Sequence, residues 1–347
     1  MPSVEAVATA VPDNVITQED ARAEYERLFA GNPAVLRLLR VFDSGVKTRH
    51  LAFPRSYYLA KRSFDERNAD YVEQGTALAE TAARRCLEKA GVAPQAVDHL
   101  FFVTTTGLAT PSVDALLAPR LGLRRDARRW PLFGLGCAGG AGALIRAAET
   151  LRGRPDQRAL VVSVELCGQV FLPDATNPTD VIGTALFGDG AAAVLIGGDG
   201  VRAPGPRIEA ARTELFDGTR HIMGWSFTSD GMRLVLSKDV VDLVRTRLRP
   251  VVECVLRSAG IGLADVSRFL FHPGGRRVID AYRDTFGCTE DDLAFTRRSL
   301  ARVGNLSSAS VLFILGDVLD AAPAPGEKGL LVALGPGFGA EMLVLGW

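Results

Sequence analysis

The chain has 347 residues, 47% of them hydrophobic, and its 40 basic and 40 acidic side chains give a formal net charge of zero. This length suits one large domain or two fused units with a sizeable core. The balanced charge argues against a nucleic-acid-binding protein and against a polybasic membrane patch.

The N-terminal residues, the apolar runs and the cysteines together predict a cytoplasmic protein. Residues 1–5 show no basic segment leading into an apolar one, so we expect no signal peptide, and no apolar run reaches the length of a membrane span. The cysteines lack CxxC spacing and the four histidines form no HxxxH pair, which predicts reduced thiols and no metal site. The five cysteines are Cys86, Cys137, Cys167, Cys254 and Cys288.

The first α/β pattern lies between residues 90 and 107. A helix is predicted to end at Ala90-Gly91, and a short loop then leads into an apolar strand that ends near Thr105. Polar residues and a glycine follow this strand.

Cys137 comes next, in the glycine-rich stretch Gly134-Leu135-Gly136-Cys137-Ala138-Gly139-Gly140 before a predicted helix at 141–151. The glycines permit a sharp turn and leave room beside the sulfur. The positive end of the helix favours a thiolate, as a nucleophile requires. A buried structural cysteine among small residues is the alternative that the local sequence leaves open.

The second part of the chain repeats this order. A predicted helix ends at Ala259-Gly260, and an apolar strand then leads to His272. Thr105 precedes Cys137 by 32 residues, and His272 precedes Asn305 by 33. Each repeat then closes on a glycine turn and a strand, at 188–196 in the first and 335–345 in the second.

We interpret this duplication as two α/β halves, residues 1–205 and 206–347, related by a pseudo-twofold axis. The alternation of strands and helices favours mostly parallel sheets buried between helices. Equivalent strand ends would converge near the axis and bring Cys137, His272 and Asn305 together. Taken singly, His272 also fits a core histidine and Asn305 a helix N-cap.

A set of motifs resembles the thiolase-fold condensing enzymes and, within them, the bacterial type III polyketide synthases of the chalcone and stilbene synthase family. The motifs are Gly136-Cys137, Phe271-His272-Pro273-Gly274-Gly275, Gly304-Asn305-Leu306-Ser307-Ser308-Ala309 and Leu334-Gly335-Pro336-Gly337. The resemblance implies a thiolase-like α/β fold, with two duplicated halves and five-stranded sheets in an αβαβα layering. It also implies a homodimer.

The resemblance assigns the chemistry to three residues. Cys137 would accept an acyl group from a CoA thioester, and His272 would hold the sulfur as a thiolate in an ion pair. His272 and Asn305 would donate hydrogen bonds to the thioester oxygen of malonyl-CoA as it loses CO₂. The resulting carbanion would attack the acyl-Cys137, with no metal or redox cofactor.

Further residues match family positions around this centre. The implied gatekeepers are Phe187 and Leu234, and the implied pocket residues are the small side chains of Ala138, Cys167 and Gly224. The implied hydrogen-bond network of ring closure is Thr105, Glu165 and Ser307, and the implied contacts to CoA phosphates are Arg37 and Arg40. Thr110 matches a loop residue that reaches the partner's pocket in relatives, where plant enzymes carry a larger Met.

The small pocket residues favour a long acyl starter, unless Met223, Trp225 or Phe171 refills the space. We therefore predict an acyl-CoA-primed synthase that makes an α-pyrone. The alternatives are a malonyl-primed naphthalene synthase and a resorcinol synthase. A single-condensation β-ketoacyl-acyl-carrier-protein synthase III is disfavoured, because such enzymes typically follow the histidine with Gln-Ala-Asn. A catalytically inactive scaffold would be expected to lack Cys137, His272 or Asn305.

Overall fold

A strand–helix alternation occurs twice in the computed structural model, which describes residues 1–171, 176–201, 203–228 and 231–347. The strands of the first half are β1 (Ser3–Ala10), β2 (Asn14–Thr17), β3 (Thr48–Leu51), β4 (His99–Thr104), β5 (Arg128–Phe133), β6 (Arg158–Leu166) and β7 (Asp189–Gly197). Its helices are α1 (Gln18–Leu28), α2 (Pro33–Leu36), α3 (Arg55–Leu59), α4 (Phe64–Ala90), α5 (Val113–Leu121), α6 (Gly139–Leu151) and α7 (Pro178–Leu186).

The second half follows the same plan. Its strands are β8 (Arg207–Leu215), β9 (Met223–Thr228), β10 (Gly231–Leu236), β11 (Arg268–Phe271), β12 (Lys328–Gly335) and β13 (Gly339–Gly346). Its helices are α8 (Val240–Leu243), α9 (Arg249–Ser258), α10 (Arg276–Phe286), α11 (Ala294–Val303) and α12 (Ser310–Asp320). Short 3₁₀ turns at Gly136–Ala138 and Ser307–Ala309 precede α6 and α12.

The main sheet has nine strands in the order β11-β12-β13-β8-β1-β7-β6-β4-β5. The halves meet in it at one residue pair, Ser3 with Arg207, so each half contributes its own sheet. The first half supplies five strands, as expected, whereas the second supplies four because no strand corresponds to β5 in the described ranges.

The main sheet is also more mixed than the expected mostly parallel arrangement. Within the described residues, β4–β5, β4–β6 and β11–β12 are its parallel pairs, and its other neighbouring strands run antiparallel. The helical crossovers explain the parallel pairs. The last strand of each half, β7 or β13, runs antiparallel to both of its neighbours.

The layers have the expected order, which confirms the thiolase-like fold. Helices α6 and α12 form the central layer and contact strands from both halves. Along β4 the side chains alternate, because Phe101 and Val103 join the central core while Leu100 and Phe102 face α4 and α5. On the opposite side, α9 and α10 cover the outer face of the second half.

Equivalent glycines introduce the two central helices. Gly136 and Gly304 both have a positive φ, of 51° and 75°. A Cβ at Gly136 would lie 2.3 Å from Pro336, and one at Gly304 would lie 2.8 Å from the Leu186 oxygen. Both positions therefore require glycine, which places Cys137 and Asn305 at matching turns. None of the described helices is long and apolar enough to span a membrane.

Candidate active site

Cys137 lies in the 3₁₀ turn before α6 and is partly exposed. Its Sγ donates to Ser307 Oγ at 3.6 Å, a contact that joins the nucleophile candidate of the first half to the second half. Ala138 is buried in the central core beside Gly335, where an added Cβ would lie 2.7 Å from the Ala138 Cβ. The Cys137 turn thus packs against the end of β12.

His272 follows β11 directly, and its backbone N–H donates to Val332 O at 2.9 Å. The side chain is 3% exposed, and neither ring nitrogen has a hydrogen-bond partner among the described residues. Burial lowers the pKa of His272 to about 3, so the ring is neutral near pH 7. A buried imidazole without a hydrogen-bond partner is unusual.

Asn305 is held by its backbone and by one end of its amide. Its N–H donates to Leu186 O at 2.9 Å, and its carbonyl accepts from Gly188 N at 3.0 Å. Its Oδ1 accepts from the Ser307 N–H at 2.8 Å and from the Ser310 hydroxyl at 3.4 Å. The Nδ2 end is therefore left to donate to a substrate oxygen.

Burial acts against the expected thiolate–imidazolium pair, which stays a prediction. Burial raises the pKa of Cys137 to about 12, although the Ser307 hydrogen bond opposes this change, and nearby Glu165 raises the pKa further. Removal from water penalises the charged forms of both Cys137 and His272 and so favours a neutral thiol and a neutral imidazole.

The three predicted network residues lie together behind Cys137. The Thr105 N–H donates to Glu165 Oε2 at 3.0 Å, and the Thr105 hydroxyl donates to Oε1 at 3.2 Å. The Thr105 and Ser307 hydroxyls are 3.4 Å apart, so a continuous path runs from Cys137 to Glu165. Ser307 has a φ of 49°, a strained conformation for a residue with a Cβ.

The network also includes residues that the sequence reasoning missed. Thr106 donates to Glu165 Oε2 at 2.7 Å, and Ser308 donates to Oε1. Burial raises the pKa of Glu165, whereas these hydrogen bonds lower it. The run Thr104-Thr105-Thr106 at a strand end and the pair Ser307-Ser308 were the available sequence signals.

The predicted gate residues form a cluster. Cys167, Phe187 and Leu234 are buried together, and Trp225 packs against Phe187 with ring centroids 6.2 Å apart. Phe187 also forms an isolated bridge with Asn305, so the gate lies beside the candidate donor. A Cβ at Gly224 would meet no atom within 4 Å, which leaves open space at that position.

An apolar cavity adjoins this gate. It is a small cavity of about 80 Å³ that opens to solvent, and it shares Cys167 and Phe187 with the gate cluster. Its other walls come mainly from α1, α3 and α7, together with Gly168 and Phe171. Phe171 therefore lines this cavity and leaves it open. The polar lining includes Arg49, whose guanidinium is buried.

The predicted phosphate contacts lie on the surface. Arg37 and Arg40 are exposed, and neither forms an ion pair within the described ranges. Sequence reasoning missed two exposed arginines, Arg276 and Arg277, at the start of α10. The Arg276 N–H donates to Ser44 O at 3.2 Å, which places α10 against the segment that follows Arg40.

Two thiolase-like halves, with Cys137 and Asn305 at matched helix starts and His272 at a strand end, define a condensing enzyme of the thiolase fold. In the part of the chain that the structure describes, no cluster of three or more His, Cys, Asp or Glu side chains is arranged for a metal ion. The chalcone and stilbene synthase N-terminal domain matches residues 2–200, and the C-terminal domain of the same family matches residues 207–346. The chain belongs to this family and is a type III polyketide synthase, a CoA-dependent condensing acyltransferase.

Relatives of several product types are similar to the whole chain. A 1,3,6,8-tetrahydroxynaphthalene synthase of Streptomyces peucetius is 42% identical, with 99% of this chain and 93% of the relative covered. A phloroglucinol synthase of Pseudomonas fluorescens is 29% identical, with coverage of 97% and 96%. The crystal structure of 1,3,6,8-tetrahydroxynaphthalene synthase from Streptomyces coelicolor superposes with a TM-score of 0.95 at 28% identity, covering 99% of each chain.

Proposed function

We propose that this type III polyketide synthase accepts an aliphatic acyl-CoA starter, extends it with malonyl-CoA and releases an α-pyrone. The observation that carries the choice of starter is the apolar cavity that shares Cys167 and Phe187 with the gate. Its apolar walls favour burial of an alkyl chain, at about 0.8 kcal/mol per CH₂ group. The open space at Gly224 adds room for the growing chain.

Acyl loading begins with the neutral thiol of Cys137 and the neutral imidazole of His272. His272 takes the thiol proton as the Cys137 sulfur attacks the thioester carbonyl. The bond from Cys137 to the acyl carbon forms, the bond to the CoA sulfur breaks, and His272 returns the proton to the leaving sulfur.

Extension uses His272 and Asn305 as donors. As malonyl-CoA loses CO₂, negative charge develops on its thioester oxygen, and the Asn305 amide and a His272 ring N–H donate to it. The carbanion attacks the acyl carbonyl on Cys137, a carbon–carbon bond forms, and Cys137 leaves as a thiolate. Side chains of this chain and CoA thioesters supply every group in this scheme, which needs no separate cofactor.

Pyrone formation would release the finished chain. The Cys137 thiolate first takes the extended chain back from CoA, which leaves as free thiol. An enol oxygen of the chain then attacks the carbonyl held by Cys137, and the sulfur leaves as the ring closes. The path from Cys137 through Ser307 and Thr105 to Glu165 supports this step, because it can accept and return a proton beside the sulfur.

The CoA moiety would bind at the basic rim. Arg37 and Arg40 have free guanidinium groups suited to phosphate, and Arg276 and Arg277 extend the basic surface beside them. Removal of a phosphate contact raises KM for CoA substrates. Substrates presented as N-acetylcysteamine thioesters, which have no phosphate, provide the matched control.

The starter is tested by incubating the purified protein with malonyl-CoA and straight-chain acyl-CoAs from acetyl to palmitoyl, with product masses as the readout. We expect α-pyrones that carry the starter's alkyl chain. In A21F, a ring enters the cavity from α1, and activity with long starters should fall about tenfold or more relative to acetyl-CoA. The control A23F places the same ring on the exposed face of α1. Equal loss in both variants would contradict the cavity assignment.

The second candidate is a malonyl-primed tetrahydroxynaphthalene synthase. It is favoured by the 42% identity to the Streptomyces peucetius enzyme of that name. Formation of a naphthalene from malonyl-CoA alone, with no product from the other acyl-CoAs, would establish the second candidate and overturn the pyrone proposal. A resorcinol product would show instead that the acyl chain is accepted but closes through carbon.

We also propose that the enzyme is a homodimer that pairs along β5. This edge strand of the main sheet exposes 40% of Trp130 and 50% of Phe133, and α5 exposes Leu116 nearby. Charged replacements at Trp130 and Phe133 should convert a dimer into a monomer in sedimentation velocity. Thr110 is exposed on the loop before α5, and T110M tests whether it reaches the partner's pocket, through a changed product profile.

We further propose a cytoplasmic location. All five cysteines are free, as a reducing compartment would keep them. Fractionation of the producing cells, with the protein detected by antibody, tests this location.

A further inference from the structure

Arg49 is a buried arginine that contacts the gate segment. It lies in β3 and is 4% exposed. Its Nη1 donates to Phe187 O at 3.3 Å and to Thr184 O in the preceding turn of α7. Its Nε–H has no partner among the described residues. A guanidinium placed so far from water must fulfil a role that justifies its desolvation.

The aliphatic part of Arg49 packs against the segment that carries Asn305. A Cβ at Gly304 would lie 2.9 Å from Arg49 Cγ, and one at Gly188 would lie 3.5 Å from Arg49 Cβ. These two glycines flank the backbone bridge between Phe187 and Asn305. Arg49 therefore contacts the Phe187 segment by hydrogen bonds and the Asn305 segment by packing.

Asp189 is a buried carboxylate on which the charge of Arg49 acts, and it contacts the pocket wall. Its carboxylate accepts from the Gly168 N–H at 2.6 Å and from the Ala52 N–H at 2.7 Å. Burial raises the pKa of Asp189 to about 6, and the positive charge of Arg49 opposes this change. Arg49 and Asp189 together thus hold the gate, the Asn305 turn and the segment that follows Cys167.

We propose that Arg49 is a positioning residue that sets how often each decarboxylation of malonyl-CoA leads to a carbon–carbon bond. Its hydrogen bonds hold Phe187 over the site while its stem supports the turn of Asn305. This inference rests on the proposed condensation at Cys137.

The chemistry makes this role measurable. After CO₂ leaves, the carbanion has two fates: it attacks the acyl carbonyl on Cys137, or it takes a proton from water and leaves as acetyl-CoA. A fixed Phe187 excludes water and favours the first fate. If Phe187 moves, protonation competes, so the ratio of acetyl-CoA to polyketide rises. A general loss of folded enzyme would lower both products in proportion.

The experiment measures that ratio with purified full-length variants. R49M removes the donors and the charge, and we expect the ratio of acetyl-CoA to polyketide to rise about tenfold. R49K restores the charge with a different donor geometry and should give an intermediate ratio. The matched control is R67M, because Arg67 is also buried and donates to main-chain carbonyls, of Arg62, Gln169 and Phe171, but to neither Phe187 nor Thr184.

The outcomes separate the inference from the proposed function. If the wild-type enzyme forms no polyketide, the proposed condensation fails. If it forms polyketide but R49M and R67M leave the ratio unchanged, Arg49 is only structural and the inference is wrong. If R49M does not fold, R49K decides, and a wild-type ratio in R49K overturns the inference.

Discussion

The two halves share one topology, but they differ in whether the polar side chains at equivalent strand ends have hydrogen-bond partners. In the first half, Thr104, Thr105 and Thr106 at the end of β4 are all engaged, and Glu165 on β6 accepts hydrogen bonds from them. In the second half, His272 at the end of β11 has no side-chain partner among the described residues. By strand register, the position equivalent to Glu165 is Ala333.

This difference shows that the two halves of a duplicated fold can serve different purposes. The satisfied network of the first half forms a rigid base behind Cys137. In the second half, the imidazole of His272 and the Nδ2 end of Asn305 have no partner among the described residues, and in the proposed mechanism a substrate supplies one. Unsatisfied groups are costly to bury, which agrees with the role proposed for them as donors to a substrate thioester.

The largest effect is expected for Cys137→Ala in the first half. Loss of the nucleophile should lower polyketide formation by about 10⁴-fold or more. Decarboxylation of malonyl-CoA should continue, because its donors lie in the second half. Intact-protein mass after incubation with acyl-CoA checks this, since wild type should gain the acyl mass and the variant should not. An acylated Cys137→Ala enzyme would contradict the assignment.

The next effect is expected in the second half. Asn305→Ala removes one donor to the thioester oxygen and should slow decarboxylation by about 10²- to 10³-fold. Acyl loading on Cys137 should persist, so radiolabelled CO₂ release and protein mass are measured on the same sample. Loss of loading together with decarboxylation would show that the halves do not divide the steps as proposed.

Glu165→Gln tests the hydrogen-bond network behind Cys137 in the first half. The amide replaces an acceptor oxygen with a donor, so at least one hydroxyl of the network loses its partner, and the free energy of unfolding should fall by about 1–3 kcal/mol. The ratio of ring-closed products should also change. The control is Glu341→Gln, because Glu341 is buried behind α6 and accepts from Thr213 and Arg146. Glu341→Gln should lower stability and leave the products unchanged.

The smallest effect concerns acid stability. The pKa of His272 is about 3 in the folded chain and about 6.5 in the unfolded chain, so only the unfolded chain binds this proton between those values. The free energy of unfolding should therefore fall with pH below about 6.5, by about 1.4 kcal/mol per pH unit from this group. Urea unfolding of wild type and His272→Gln between pH 7.5 and 5 measures it. Parallel pH profiles for the two proteins would refute the unpartnered, neutral His272.

The sequence by itself determined the duplication, the thiolase-like class and the catalytic candidates. Gly136 and Gly304 need a positive φ, and short motifs that combine such a glycine with a reactive side chain are readable without coordinates. The network of Thr105, Glu165 and Ser307 was predicted from resemblance, and the structure brings these residues together. Their assigned roles remain predictions.

The tertiary structure alone decided the rest, because those properties arise from residues distant in sequence. Whether β7 and β13 run parallel or antiparallel to their neighbours depends on how the end of each half folds back onto its sheet. The protonation of Cys137 and His272 depends on how much protein surrounds them, and burial acts against the local helix end that favoured a thiolate. Arg49 had no motif to mark it, since its importance comes from carbonyls and glycines more than a hundred residues away.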